Sequence, residues 1–174
     1  MVKTDKYYLH QTPQPLAKKL IETLDLVAGD TVLEPFKGEG SFYNELPDFV
    51  VKDWTEIEEG RDYHTNTNKY DWIISNPPFK LETEEPDGTP SKRVNAFWKL
   101  VLHYTNQAQK GIAFLGNDNC ISTFTPTRMK VLNKAGWYLH GVQICAVKKW
   151  RGRYFFLTFR KIENKSIGWI DGTF

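Results

Sequence analysis

Residues 71–80 read DWIISNPPFK. An apolar run of Trp72, Ile73 and Ile74 meets Asn76-Pro77-Pro78-Phe79, and neither proline has an N–H for a sheet ladder, so a strand ends there. The residues after it form either an ordinary strand-ending turn or a rigid shelf. Such a shelf holds a side-chain amide, a backbone carbonyl and an aromatic ring in fixed geometry. A second constellation precedes it. VLEPFKGEGSF places Glu34, Pro35, Phe36, Gly38 and Gly40 between a predicted buried strand and a predicted short helix starting near Ser41. Glycines there let the backbone approach a ligand and adopt positive φ, and a helix N-terminus beyond them offers free N–H groups. Neither GxGxxG nor GxxxxGK(S/T) is present, so dinucleotide and nucleotide-phosphate fingerprints are excluded. The alternatives are a plain strand-to-helix turn and a ligand loop whose carboxylate, Glu34, suits a cationic group.

An Asn/Asp/Ser-Pro-Pro-aromatic match arises by chance in roughly 1% or less of chains this long, so its occurrence after a correctly ordered glycine loop carries weight. The pair EPFKGEGSF and NPPF resembles the S-adenosylmethionine-dependent amino-methyltransferases, in particular DNA adenine methyltransferases. The resemblance implies that Glu34, Pro35, Phe36, Gly38 and Gly40 line the methionine part of the cofactor. It implies an acidic residue for the two ribose hydroxyls after the next strand, and WTEIEEGRDY offers Glu56 most directly, with Glu58 and Glu59 as alternatives. Asp62 matches the residue beside the cofactor's adenine, with Tyr63 packing on the ring; a turn residue is the competing reading. Thr12 and Pro13 match the pair that precedes the family's N-terminal helix, and are equally a helix cap followed by proline.

In this resemblance Asn76, Pro77, Pro78 and Phe79 are catalytic, Asn76 also bordering the cofactor. The Asn76 side-chain carbonyl and the Pro77 backbone carbonyl each accept one hydrogen of an exocyclic amine, and Phe79 stacks on the base. Two acceptors favour a pyramidal nitrogen and stabilise the charge that develops on it. No strong general base is needed, and His10, His64, His103 and His140 are read as surface or satisfied histidines. The expected substrate is adenine in DNA. RNA adenine, a protein glutamine amide, and a silent methyltransferase-like subunit that binds nucleic acid are the alternatives.

The segment VKKWRGRYFFLTFRK supplies Lys148, Lys149, Trp150, Arg151 and Arg153, which with Lys80 are candidate nucleic-acid contacts. Such a hairpin can grip phosphates and stack a base, or serve only as a solubilising tip. Glu82, Glu84, Glu85 and Asp87 oppose phosphate binding next to the Asn-Pro-Pro-Phe stretch, and Lys92 and Arg93 partly offset them.

These groups need a scaffold. Leu16, Leu20, Ile21 and Leu24 have helical spacing, as do Val94, Phe97, Trp98, Val101 and Leu102. Thr125-Pro126 starts another helix that Gly136 ends. Strands are predicted at 31–35, 49–57, 71–75, 111–116, 137–147 and 154–161, with 80–93 a polar loop. Helices alternate with strands until a final strand pair. This predicts an α/β, Rossmann-like methyltransferase fold: a mostly parallel open sheet with helices on both faces and a C-terminal antiparallel hairpin. Ligands bind such sheets at the carboxyl ends of the strands.

Composition bounds the rest. The 174 residues predict a single catalytic domain, and no separate target-recognition region is legible, so weak specificity or a partner subunit for recognition is expected. A net charge of +2 does not by itself announce nucleic acid. Cys120 and Cys145 lack ligand spacing, and no metal site is legible. Cys145 reads as a buried thiol, which with the absence of an apolar leader or membrane-length run predicts a soluble, cytoplasmic protein.

Overall fold

The computed structural model describes residues 11–78, 96–148, 150 and 152–167, together with the backbone of 80–81 and 94–95. Its centre is a six-stranded sheet built from β1 (Thr31–Glu34), β2 (Val51–Trp54), β3 (Tyr70–Ser75), β6 (Ala108–Asn117), β7 (Tyr138–Cys145) and β8 (Tyr154–Arg160). A separate antiparallel ribbon pairs β4 (Lys80–Leu81) with β5 (Val94–Asn95). The sheet order is β2-β1-β3-β6-β8-β7. The first four of these strands are parallel, and β8 runs antiparallel to both β6 and β7. The last strand therefore inserts between its predecessor and the parallel set. Mostly parallel strands with a terminal antiparallel hairpin are what the alternation of elements predicts.

Burial on both faces explains the near-continuous apolar runs in β3 and β6. Ile73, Ile112, Phe114 and Phe159 face one core, which is closed by α2 (Phe97–Tyr104) and α4 (Pro126–Lys134). Trp72, Ile74, Ala113, Leu115 and Phe156 face the other, closed by α1 (Gln14–Ile21) through Ala17, Leu20 and Ile21. The sheet is tightly packed at Gly111, where an added Cβ would lie 2.2 Å from the Trp72 ring. At the amino ends of the strands, Lys110 bridges Asp30 and Asp71, and Asp71 accepts hydrogen bonds from the Thr31 N–H and hydroxyl. This ties β1, β3 and β6 into one register.

Several sequence expectations need correction. The helix expected near Ser41 is a single 3-10 turn, Tyr43–Glu45, because the chain bends back at Leu46 into extended backbone. Pro13, not Thr12, is the cap of α1, and no side chain hydrogen-bonds the cap. Val94 lies in the β4–β5 ribbon rather than in α2, and Leu102 faces outward; the buried stripe of α2 is Phe97, Leu100, Val101 and Tyr104. The second strand is Val51–Trp54, shorter than 49–57, because the chain leaves the sheet at Thr55. Thr125 does cap α4, accepting from the Arg128 N–H, and Gly136 ends that helix at φ +79°. Among the described residues no helix is long and apolar enough to cross a membrane, and no group of three metal-ligating side chains converges.

Candidate functional site

The parallel register brings three segments to one edge of the sheet. Glu34 pairs with Trp54 across β1 and β2, Leu33 pairs with Ile73 across β1 and β3, and Ser75 pairs with Phe114 on β6. The glycine loop, the turn carrying Glu56, and Asn76-Pro77-Pro78 thus leave adjacent strands at their carboxyl ends. β3 is buried along most of its length, and Pro77 and the Asn76 Oδ1 atom are buried with it. Phe79, the ring expected to stack a base, lies outside the described residues.

The glycine loop is held from inside and from outside. Inside, Glu34 is 2% exposed and its Oε2 accepts a 2.6 Å hydrogen bond from the Tyr43 N–H. Burial pushes this carboxyl well above the usual carboxylate range, against the lowering pull of that N–H and of Lys37. The carboxylate expected to face a cationic ligand therefore anchors the turn. Of the N–H groups expected to be free after the glycines, that of Tyr43 is engaged by Glu34 and that of Asn44 donates to the Gly40 carbonyl. Outside, Glu56 Oε2 accepts from the Gly38 N–H at 2.7 Å and Oε1 accepts from the Glu58 N–H at 3.2 Å. The carbonyl of buried Pro35 accepts from the Thr55 hydroxyl at 2.6 Å. Gly38 and Gly40 have φ of +51° and +83°, which explains the glycines. No atom of the described residues stands within 4 Å of where a Gly38 Cβ would be. The loop backbone is open to a ligand on that side.

The next segment supplies aromatic and acidic groups. Asp62 Oδ1 caps a 3-10 turn by accepting from the His64 N–H at 3.0 Å. Tyr63 is buried with its ring 4.9 Å from Phe36, so Phe36 and Tyr63, taken separately from the sequence, form one aromatic pair. Burial and the adjacent Asp62 charge push the Tyr63 phenol up to about 12, keeping it protonated. A polar cleft of about 290 Å³, lined by Asp53, Thr55, Arg61, Asp62, Asn66 and Asn68, runs beside this turn. Thr12 is buried, and its hydroxyl has no hydrogen-bond partner among the described residues.

Three features escaped sequence reasoning. Ile57, next to Glu56, is 69% exposed and offers an apolar face at the same edge. Trp54 receives two cations, Lys37 and Arg61. His64 and His103 both pack on Tyr63. Only the exposed Ile57 had a sequence signal, an apolar residue within an acidic run.

The β7–β8 connection also reaches this edge, because Tyr154 pairs with Asn117, the last residue of β6. Lys148 and Arg153 are exposed there, and the Arg153 N–H donates to Asp118 Oδ1. Trp150 is half-buried, with its ring 4.4 Å from that of Tyr154 in its own hairpin. Lys149, Arg151 and the Lys80 side chain lie outside the described residues.

No protein-family model matches the chain, and no curated protein matches it significantly. Solved structures do. A candidate class I S-adenosylmethionine-dependent methyltransferase from Listeria monocytogenes superposes with a TM-score of 0.63 at 13% identity, over 87% of this chain and 60% of the other. A type I restriction-modification system methyltransferase subunit from Streptococcus thermophilus gives 0.62 at 17% identity, over 88% of this chain and 44% of the other. Magnesium protoporphyrin IX methyltransferase from Synechocystis, with bound S-adenosylmethionine, gives 0.58 at 12% identity, over 92% and 85%. This chain thus spans about half the length of the first two. At these identities, what the three share with this chain is the scaffold. The described residues have the fold of the class I S-adenosylmethionine-dependent methyltransferases.

Proposed function

We propose that this protein transfers a methyl group from S-adenosylmethionine to the exocyclic amine of adenine in DNA. The observation that carries the reading is that Asn76-Pro77-Pro78 continues the buried strand β3 at the same sheet edge, one strand from the glycine loop. An amine held at the first can therefore meet a donor held at the second.

The residues fit the cofactor. Gly38 is open where the methionine part would lie, and the Thr12 hydroxyl is a buried polar atom with no hydrogen-bond partner among the described residues. Glu56, fixed through the Gly38 N–H, would accept the ribose hydroxyls. Asp62 would accept from the adenine amine, with Ile57 and the Phe36–Tyr63 pair as apolar neighbours. When bound, S-adenosylmethionine supplies an electrophilic methyl group for in-line displacement, so alignment is much of the catalysis. Asn76 and the Pro77 carbonyl orient the amine, and the prolines hold that carbonyl at small entropic cost. Phe79 would stack on the base, which must leave the duplex to reach the clamp. Lys148 and Arg153 at the same edge support a polyanionic substrate. We read residues 1–174 as one catalytic domain, with weak sequence specificity or with recognition supplied by a partner subunit.

The test is labelled methyl transfer to DNA, RNA and protein fractions, with digestion to identify the modified group. N6-methyladenine in DNA is expected. Label confined to RNA adenine or to glutamine would move the clamp to that substrate, and no transfer despite cofactor binding would leave a silent subunit. Asn76→Ala should cut transfer by about 10²–10³-fold, by analogy with loss of one transition-state hydrogen-bond partner, with cofactor affinity nearly unchanged. Unchanged transfer would sink the mechanism.

A further inference from the structure

Trp54 ends β2 beside Glu34, and its indole receives two cations. Lys37 Nζ lies 3.8 Å from the ring centroid and Arg61 Cζ lies 4.1 Å from it. Lys37 belongs to the glycine loop, and Arg61 to the turn after Glu56. Each cation is also neutralised locally. Lys37 Nζ pairs with Glu59 Oε1 at 2.7 Å, and Arg61 Nη2 pairs with Asp53 Oδ1 at 2.7 Å. The backbone completes the link. Glu56 and Arg61 exchange hydrogen bonds, Glu56 N–H to the Arg61 carbonyl at 2.8 Å and Arg61 N–H to the Glu56 carbonyl at 3.0 Å. Gly60, at φ +75°, reverses the chain between them. The Lys37 N–H donates to the Thr55 carbonyl at 3.1 Å.

Glu56 sits at the centre of this assembly. Its backbone is fixed by Arg61, and its carboxylate spans to the Gly38 N–H, next to Lys37. A Trp at this position does more than cover an edge strand. Its ring meets one cation from each of the two loops that the Glu56 carboxylate links.

We propose that Trp54 is a positioning residue for the cofactor's ribose: gripped by Lys37 and Arg61, its ring locks the glycine loop to the 56–61 turn and presets the Glu56 carboxylate. The inference rests on the assignment of Glu56 to the ribose hydroxyls. Trp54 itself touches no reacting atom.

The experiment uses the full chain, with Trp54→Leu, Trp54→Phe, Lys37→Met, Glu56→Gln and the Trp54→Leu/Glu56→Gln double variant. Two readouts are taken: amide hydrogen exchange at Gly38 in ligand-free protein, and S-adenosylhomocysteine affinity by calorimetry. Trp54→Leu should speed Gly38 exchange and weaken affinity about tenfold each, the size of two partly exposed cation–π contacts. Trp54→Phe should retain most of both, and Lys37→Met should shift both in the same direction as Trp54→Leu. In the Glu56→Gln background the effect of Trp54→Leu on affinity should largely vanish, which a merely structural role would not produce. Wild-type Gly38 exchange in Trp54→Leu, or affinity losses that simply add in the double variant, would overturn the proposal while leaving the cofactor reading intact. Wild-type protein that binds no S-adenosylhomocysteine would overturn both.

Discussion

Glu34 lets charge and hydrogen bonding be separated at the end of β1. It is 2% exposed and accepts a short bond from the Tyr43 N–H, and burial raises its pKa well above the ordinary range. That raised pKa sets the sign of the pH dependence. A carboxyl whose folded pKa is raised contributes its full stability below the unfolded value of about 4.3 and loses it as pH rises through the folded value. Glu34→Gln keeps an acceptor for Tyr43 and has no charge to desolvate. Its stability should stay within about 1 kcal/mol of wild type in mild acid, and should gain on wild type as pH rises. Glu34→Ala leaves the Tyr43 N–H without its acceptor, at a cost of about 1–3 kcal/mol. For a chain of this size that is a fall in Tm of roughly 2–12 °C. Urea unfolding and thermal melts of the three proteins at pH 5 and pH 8 provide the measurement. Equal losses in the Gln and Ala variants, or a wild type that gains on Glu34→Gln with rising pH, would refute the reasoning.

Two further perturbations test the scaffold around the site. Gly111→Ala drives a Cβ into the Trp72 ring and should destabilise by about 1–3 kcal/mol; combining it with Trp72→Phe should cost less than the sum of the two single changes in urea unfolding. His103 is half-buried, and its pKa is lowered by burial and by the His64 charge. Its Nε2 faces Gln107 Nε2 at 3.2 Å, and Gln107 also donates to the Asn66 carbonyl, so the imidazole must accept there. With a folded pKa below the unfolded value of about 6.5, stability is full above that value and is lost as pH falls through the folded one. His103→Gln should flatten the decline in melts between pH 7 and pH 5; an unchanged decline would assign the acid sensitivity elsewhere.

Much of the architecture was legible in the residues. The apolar run at 72–74 followed by two prolines could only be a strand that stops, and β3 ends at Ser75. The glycine pair in KGEG signalled positive φ, and both glycines have it. The expectations that failed did so for local physical reasons. Thr12-Pro13 has the composition of a cap, yet the Thr12 hydroxyl is buried without bonding to the helix. Val94 has the right spacing for α2, but it pairs with Leu81 in the ribbon.

By itself the sequence determined the alternation of elements and the two unusual strand ends, because periodicity and proline or glycine chemistry act over a few residues. It could not say that β8 inserts between β6 and β7, since strand order depends on which edges can bury their apolar faces. That insertion carries the basic hairpin to the edge where Asn76 sits. Only the folded chain brings Lys37 and Arg61 onto Trp54, and only there does burial turn Glu34 from a ligand's counter-charge into the anchor of a turn. Desolvation and contact between distant residues are properties of the packed molecule, and no local pattern encodes them.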